Sequence, residues 1–67
     1  MKRIIVNGEQ YLVPKTINLL ELINYFDYKN TFFILEYNDI IYSKKIWGNI
    51  LIKNNDRIEI LTIVGGG

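Results

Sequence analysis

Hydrophobic and polar positions at the start of the chain follow the pattern of a β-hairpin. Residues 1–6 and 9–13 are two short runs rich in strand-forming side chains. Asn7-Gly8 separates them, and both residues tolerate the positive φ angles of a type I′ turn. Pro14 follows the second run and has no N–H with which to continue a ladder. The pattern therefore predicts that the chain opens with a β-hairpin.

The spacing of apolar residues becomes helical over residues 18–28. Apolar side chains recur there at i, i+3, i+4 and i+7, which places them in one stripe along a helix. Asn18 is the expected N-cap, with Glu21 completing a capping box, and Thr16 is the weaker alternative cap. Asn30 is the expected stop. The stripe consists of Leu19, Leu22, Ile23 and Phe26.

The following segment predicts short strands separated by turns. Its apolar runs are brief, and Asn, Asp and Gly residues interrupt them. The predicted elements are a central strand over 31–37, a turn at Asn38-Asp39, a short strand or extended edge over 40–42, a helical turn over 43–47 capped by Ser43 and ended by Gly48-Asn49, and an extended piece over 50–52.

The last predicted strand covers residues 57–64 and follows a turn over residues 54–56. Ile58 and Ile60 fall on one face of this strand, which we expect to pack against the helix. The other face carries Arg57, Glu59, Leu61 and Ile63. We expect its apolar members to form an exposed patch, extended by Ile5 or Val6 and by Phe32 or Ile34.

The order of elements predicts one α+β domain over residues 1–67, with a helix packed across one face of a sheet of four to five strands. The first and last strands are expected to pair in parallel at the centre of that sheet. This arrangement would place residues 65–67, expected to be a flexible glycine tail, beside the middle of the sheet.

Composition narrows the possible functions. The 67 residues include eight Lys and Arg and seven Asp and Glu, a net charge of +1, which argues against a nucleic-acid partner. Without Cys or His the chain has no disulfide, no usual zinc ligand and no thiol nucleophile, and we expect no bound metal or cofactor. No apolar run is long enough for a membrane span, and the start does not resemble a signal peptide. The scattered carboxylates give little support to an enzyme.

A bias toward Ile, Asn, Lys, Tyr and Phe, with no Ala, is typical of an AT-rich genome. We therefore expect the gene to belong to a plastid or to a reduced bacterium. The corresponding location is the plastid stroma or the cytoplasm.

The final Gly65-Gly66-Gly67 is the most informative motif, and it has two interpretations. One is a frayed terminus or a truncation. The other is a slender tail that threads a narrow channel, because glycine has no Cβ, and that presents the α-carboxylate of Gly67. This carboxylate is ionised at neutral pH and can attack the α-phosphate of a nucleotide held by another enzyme.

The element order, the length and the glycine end together resemble the β-grasp (ubiquitin-like) sulfur carriers, in particular the ThiS family of thiamine biosynthesis. The likeness covers essentially the whole chain. Tyr42 departs from it, since many relatives carry Pro there. The matching segments are Glu36-x-Asn38 with Ile40-Ile41, Trp47, Asn55-Asp56-x-Ile58-Glu59-Ile60 and Val64-Gly65-Gly66-Gly67.

The resemblance implies a sulfur carrier and not an enzyme. A ThiF-like adenylating enzyme would use Mg-ATP to activate Gly67, and a sulfur donor protein would supply the sulfur of a thiocarboxylate. The thiazole synthase ThiG would then receive that sulfur. Gly65 and Gly66 would occupy the enzyme's channel, and the residues expected to contact the partner are Leu61, Ile63 and Val64.

Three alternatives remain at this stage. A MoaD-like carrier would use the same activation chemistry but deliver sulfur to molybdopterin synthase. A ubiquitin-like modifier would be joined through Gly67 to lysines. A plain β-grasp binding module would have an inert tail.

Overall fold

The structure, a computed structural model, describes residues 1–28 and 32–63. Within them, five strands form one mixed sheet in the order β2-β1-β5-β3-β4, and a helix covers one face. The α+β fold and the central parallel pairing of the first and last strands are confirmed. The elements are β1 (Lys2–Val6), β2 (Glu9–Val13), α1 (Leu19–Tyr25), β3 (Phe33–Tyr37), β4 (Ile40–Ile41), a 3-10 helix (Lys44–Asn49) and β5 (Arg57–Thr62).

The opening hairpin forms as the sequence predicts. β1 and β2 pair antiparallel, from Val6 opposite Glu9 to Lys2 opposite Val13. Asn7 and Gly8 have φ angles of 50° and 81°, as a type I′ turn requires. The turn thus fixes the register of the two strands.

The start of α1 is confirmed, but its predicted end is wrong. The Glu21 backbone N–H donates to Asn18 Oδ1 at 2.8 Å, and the Asn18 N–H donates to Glu21 Oε1 at 3.0 Å, so Asn18 is the cap and Thr16 is not. The helix stops at Tyr25 because the chain turns into the left-handed region at Asp27, where φ is 56°. Asn30, the expected stop, lies outside the described residues.

The core lies between α1 and the sheet. Leu19, Leu22 and Ile23 are buried, and Phe26, the fourth residue of the stripe, is partly buried at its edge. Burying such side chains contributes about 1.5–3 kcal/mol each. The strands supply Ile4, Val6, Val13, Leu35, Tyr37, Ile58 and Ile60, and Trp47 and Ile52 complete the buried set.

Several boundaries in the second half differ from the expectation. β3 begins at Phe33, and residue 31 lies outside the described residues. β4 ends before Tyr42, whose carbonyl accepts a hydrogen bond from the buried indole of Trp47 at 3.0 Å. Ser43 does cap the following turn, but Gly48-Asn49 does not end it, since the 3-10 helix continues to Asn49. The extended piece at 50–52 bonds to the start of α1, with Leu19 N–H donating to the Ile50 carbonyl.

Asp56, expected only as a turn residue, is a buried carboxylate with 6% of its surface exposed. Its Oδ2 accepts hydrogen bonds from the Tyr37 hydroxyl and from the Lys53 N–H, the latter at 2.6 Å. Its Oδ1 accepts from Asn38 Nδ2 at 3.1 Å. The side chain therefore joins the turn before β5 to the end of β3.

The same turn is bonded to β1 through the backbone. Ile5 N–H donates to the Asp56 carbonyl at 3.0 Å, and Asn55 N–H donates to the Arg3 carbonyl at 2.7 Å. Arg3 N–H in turn donates to Asn54 Oδ1 at 2.8 Å. Three strands of the sheet thus meet at residues 54–56.

We expect Asp56→Asn to lower the free energy of unfolding by about 2 kcal/mol, because an amide NH2 would face one of the three donors. Flipping the Asn38 amide gives no relief, since Asn38 Oδ1 already accepts from Arg57 N–H at 2.8 Å. Asp39→Asn is the matched control: its ion pair with Arg57 is exposed, so we expect a change of at most about 0.5 kcal/mol. Urea unfolding of both variants measures the difference, and equal losses would contradict the role of Asp56.

Alkaline pH should destabilise the protein through Tyr37. Burial, then the hydrogen bond to Asp56 and its charge, raise the pKa of the Tyr37 phenol. The folded state therefore holds this proton more tightly than the unfolded chain, whose tyrosines titrate at about 10. The contribution of this group to stability is complete below about pH 10 and is lost as pH rises toward the folded pKa.

The measurement is urea unfolding between about pH 8 and 11. Tyr37→Phe should be less stable than the unmodified protein near pH 8, because it lacks the hydroxyl, yet lose less stability above about pH 10. An identical alkaline loss in both proteins would exclude Tyr37 as its source.

Candidate functional site

The strand that leads to the glycine tail lies at the centre of the sheet. β5 pairs in parallel with β1, where Val6 is opposite Ile58, and antiparallel with β3, where Leu35 is opposite Ile60. β5 has a neighbouring strand on each side because the turn at residues 54–56 places the chain between β1 and β3. The end of β5 thus emerges from the middle of the sheet.

On the side of β5 that faces β1, the side chain of Asn7 completes the ladder of hydrogen bonds. Asn7 N–H donates to the Ile58 carbonyl at 2.9 Å, and Asn7 Oδ1 accepts from Ile60 N–H at 2.7 Å. A turn residue of the hairpin therefore extends the ladder past the end of β1. The sequence alone predicts only a turn role for Asn7.

Beyond Ile60, the described part of β5 has backbone bonds to the β3 side alone. Leu61 lies opposite Ile34, and Ile63 N–H donates to the Phe32 carbonyl at 2.8 Å. The chain thus leaves the domain as an extended segment held along one side.

Two of the predicted partner-binding residues lie together at this end of the strand. Leu61 is 50% exposed and Ile63 is 52% exposed. Val64, Gly65, Gly66 and Gly67 lie outside the described residues, so their predicted roles stay predictions. The structure thus positions the base of the tail but not the carboxylate.

The sheet face opposite α1 carries the exposed apolar side chains that the sequence analysis expected. Ile34, at 38% exposure, lies directly opposite Leu61 on this open face. Of the two pairs left unresolved by the pattern, Ile5 is exposed while Val6 is buried, and both Phe32 and Ile34 are exposed. We call the group at the tail end of this face the apolar patch; it consists of Phe32, Ile34, Leu61 and Ile63.

Two carboxylates next to the apolar patch were not singled out from the sequence. Glu36 and Glu59 lie directly opposite each other on β3 and β5 and form the next pair on the open face after Ile34 and Leu61, further from the tail. Arg57, on the same face of β5, forms an ion pair with Asp39 at 2.7 Å. The alternation of side chains along β5 predicts that Glu59 lies on the open face. Its position opposite Glu36 follows only from the register of β3 against β5.

Other kinds of site find no support in the described ranges 1–28 and 32–63. They contain no group of three or more acidic, His or Cys side chains arranged to hold a metal ion. No helix in the same ranges is long and apolar enough to cross a membrane. The expectation that no cofactor is bound stays a prediction.

Sequence comparison identifies the family. The model of the ThiS family matches residues 3–67. The protein ycf40 of Trieres chinensis is 53% identical over 66 residues, covering 98% of this chain and 90% of that protein. The ycf40 protein of Pyropia yezoensis is 36% identical over 62 residues, covering 92% of this chain and 87% of the relative.

Comparison with solved structures identifies the same fold. The crystal structure of the thiamine biosynthesis protein ThiS from Geobacter metallireducens superimposes with a TM-score of 0.80 at 24% identity, covering 97% of this chain and 99% of that one. The solution structure of a thiamine biosynthesis protein from the same organism gives a TM-score of 0.78, also at 24% identity, with 97% and 87% covered. With its β-grasp fold and a family match that runs from β1 to the last glycine, this chain belongs to the ThiS family, the small sulfur carriers of thiamine biosynthesis.

Proposed function

We propose that the protein carries sulfur as a thiocarboxylate on Gly67 for thiazole formation. The α-carboxylate would attack the α-phosphorus of Mg-ATP in a ThiF-like enzyme, forming an acyl adenylate and releasing pyrophosphate. Sulfide from a sulfur donor protein would then attack the acyl carbon, and AMP would leave. ThiG would transfer this sulfur to its substrate, and an oxygen atom from water would replace it at the acyl carbon, which returns the carboxylate.

The observation that carries this proposal is the placement of β5. A central strand, held along one side at its end, is followed in the sequence by Ile63, Val64 and then three glycines, with the apolar patch at its base. The family match extends over Gly65, Gly66 and Gly67, which supports a role for the tail.

The proposed chemistry asks little of the carrier's side chains. Its reacting group is a terminal carboxylate, and the activating enzyme supplies the nucleotide and the metal ion. What the carrier must provide is access, because a tail without Cβ atoms is the narrowest that a polypeptide offers. A rigid domain behind the tail then fixes where the carboxylate is presented.

The apolar patch is the proposed contact with the ThiF-like enzyme. Leu61 and Ile63 come just before the tail in the sequence, and Val64 follows them. Burying a leucine side chain at such a contact contributes about 1.5–3 kcal/mol. When the enzyme binds the base of the tail, the length of the tail would place Gly67 at the nucleotide.

We place the protein in the plastid stroma. The ycf40 relatives are plastid-encoded, and the AT-rich codon bias expected from the sequence agrees with such a genome. The ThiF-like enzyme, the sulfur donor and ThiG would have to be present in the same compartment.

The proposed chemistry predicts a change of mass at the terminus. Incubated with the ThiF-like enzyme, Mg-ATP and a sulfide source, the protein should gain the mass difference between sulfur and oxygen at Gly67, measured by intact mass spectrometry. Conjugates to lysine would instead identify a modifier, and an unchanged mass would identify an inert tail. Transfer of the sulfur to molybdopterin synthase in place of ThiG would identify a MoaD-like carrier.

Variants of the tail sharpen this test. Gly66→Ala should keep the melting temperature and lose most of the adenylation rate, because its Cβ would obstruct a narrow channel. One residue added after Gly67 should abolish thiocarboxylate formation, since it moves the reacting carbon by about 3.3–3.6 Å. Full activity of the extended chain, with the added residue still attached, would refute the proposal.

The proposed contact at the apolar patch is tested by substitution. Leu61→Gln should raise the KM of the ThiF-like enzyme for the carrier about tenfold without changing kcat, since a buried leucine contact is lost. Leu51→Gln is the matched control, a similarly exposed leucine that pairs with Asn18 at the start of α1, away from the open face. ATP–pyrophosphate exchange measures both variants, and urea unfolding checks that each remains folded. Equal KM values for the two variants would exclude the patch as the contact.

A further inference from the structure

Glu36 and Glu59 form a like-charge pair in the middle of the open face. They lie directly opposite each other across β3 and β5, and both side chains are half-buried. Directly opposed side chains in an antiparallel pair have Cβ atoms about 4.5–5.5 Å apart, and like charges at that separation destabilise the sheet. The free protein therefore carries a local electrostatic cost at this point.

Nothing in the described part of the chain neutralises the pair. Neither carboxylate has a hydrogen bond or an ion pair there. The cation placed to do so is Arg57, two residues before Glu59 on the same face, but its guanidinium binds Asp39 at the far end of the sheet. The pair is thus left available to a cation from outside.

The surroundings of the pair are apolar. Ile34 and Leu61 are its neighbours toward the tail, and Ile41 on β4 lies opposite Glu36. All three are exposed. A partner that covers the apolar patch would also cover the carboxylates, and burying two unpaired charges would oppose docking unless that partner supplied the opposite charge.

We propose that the open face docks onto a surface of the adenylating enzyme that presents one arginine among apolar side chains, with its guanidinium seated between Glu36 and Glu59. A planar guanidinium donates in two directions and is less strongly hydrated than a lysine ammonium, so it fits two half-buried carboxylates. This inference rests on the proposed function and adds the charge that the enzyme surface must carry.

The same pair disfavours the other occupants of the face. A second copy docked about a two-fold axis through this point would bring four carboxylates together. Anionic lipid headgroups and nucleic-acid phosphates would be repelled. A cationic protein surface is the partner whose charge complements the pair.

The test combines two measurements on the double variant Glu36→Gln and Glu59→Gln. Removing the repulsion should raise the melting temperature of the free carrier by about 3 °C. Removing the charge should raise the KM for the carrier in ATP–pyrophosphate exchange about tenfold while kcat stays unchanged. A purely structural role of the two residues would change the first quantity and not the second.

Glu9→Gln is the matched control for charge. It makes the same type of substitution on the edge strand β2, away from the open-face pair, and should leave both quantities unchanged. The difference in KM between the unmodified carrier and the double variant should shrink as salt rises from about 50 mM to about 500 mM, because a charge contact is screened.

The outcomes separate this inference from the proposed function. Exchange with the unmodified carrier, together with equal KM values for the double variant and Glu9→Gln, would overturn the arginine contact and leave the sulfur-carrier proposal standing. No exchange with the unmodified carrier would overturn both. A dimer of the unmodified carrier in sedimentation, lost in Leu61→Gln, would assign the face to a second copy and overturn the arginine contact.

Discussion

The fold depends on one buried carboxylate, that of Asp56. It accepts hydrogen bonds from the end of β3 and from the turn that precedes β5, while the backbone of the same residue bonds to β1. These bonds set the register of β5 against both neighbours. A slip of one residue would exchange the faces of the strand, taking Ile58 and Ile60 out of the core and Leu61 off the open face. The position of the proposed docking surface is therefore determined at the opposite end of the strand from the tail.

One face of the sheet stabilises the fold, and the other is the proposed recognition surface. The face under α1 is filled by close-packed aliphatic side chains and Trp47. The other face carries exposed apolar residues and two opposed, half-buried carboxylates, which costs stability in the free protein. A small domain without disulfides accepts such a cost only while its core is well packed. The arrangement is consistent with a carrier whose surface is completed by its partners.

Local signals predicted much of the fold. Asn7-Gly8 indicated the hairpin, and Asn18 with Glu21 indicated the start of α1, because each motif acts through neighbouring backbone groups. The end of α1 at Tyr25 and the continuation of the 3-10 helix through Gly48 were missed, since tertiary contacts decide where short elements stop. The burial of Asp56 and the opposition of Glu36 to Glu59 were also missed, because both depend on the register between distant segments. For the site, the pattern found Leu61 and Ile63 as exposed residues, while the choice between Ile5 and Val6 required the structure.

The contact between β1 and the turn before β5 joins residues that are 51 positions apart, at Arg3 and Asn54. Closing so long a loop is slow compared with forming the local hairpin or α1, so the central ladder is a late event in folding. Until β5 pairs with β1 and β3, these two strands are not joined and the central part of the sheet is missing. The surface beside the tail therefore exists only in a fully folded molecule. An enzyme that docks on this surface would not bind nascent or misfolded chains, and it would therefore consume no ATP on them.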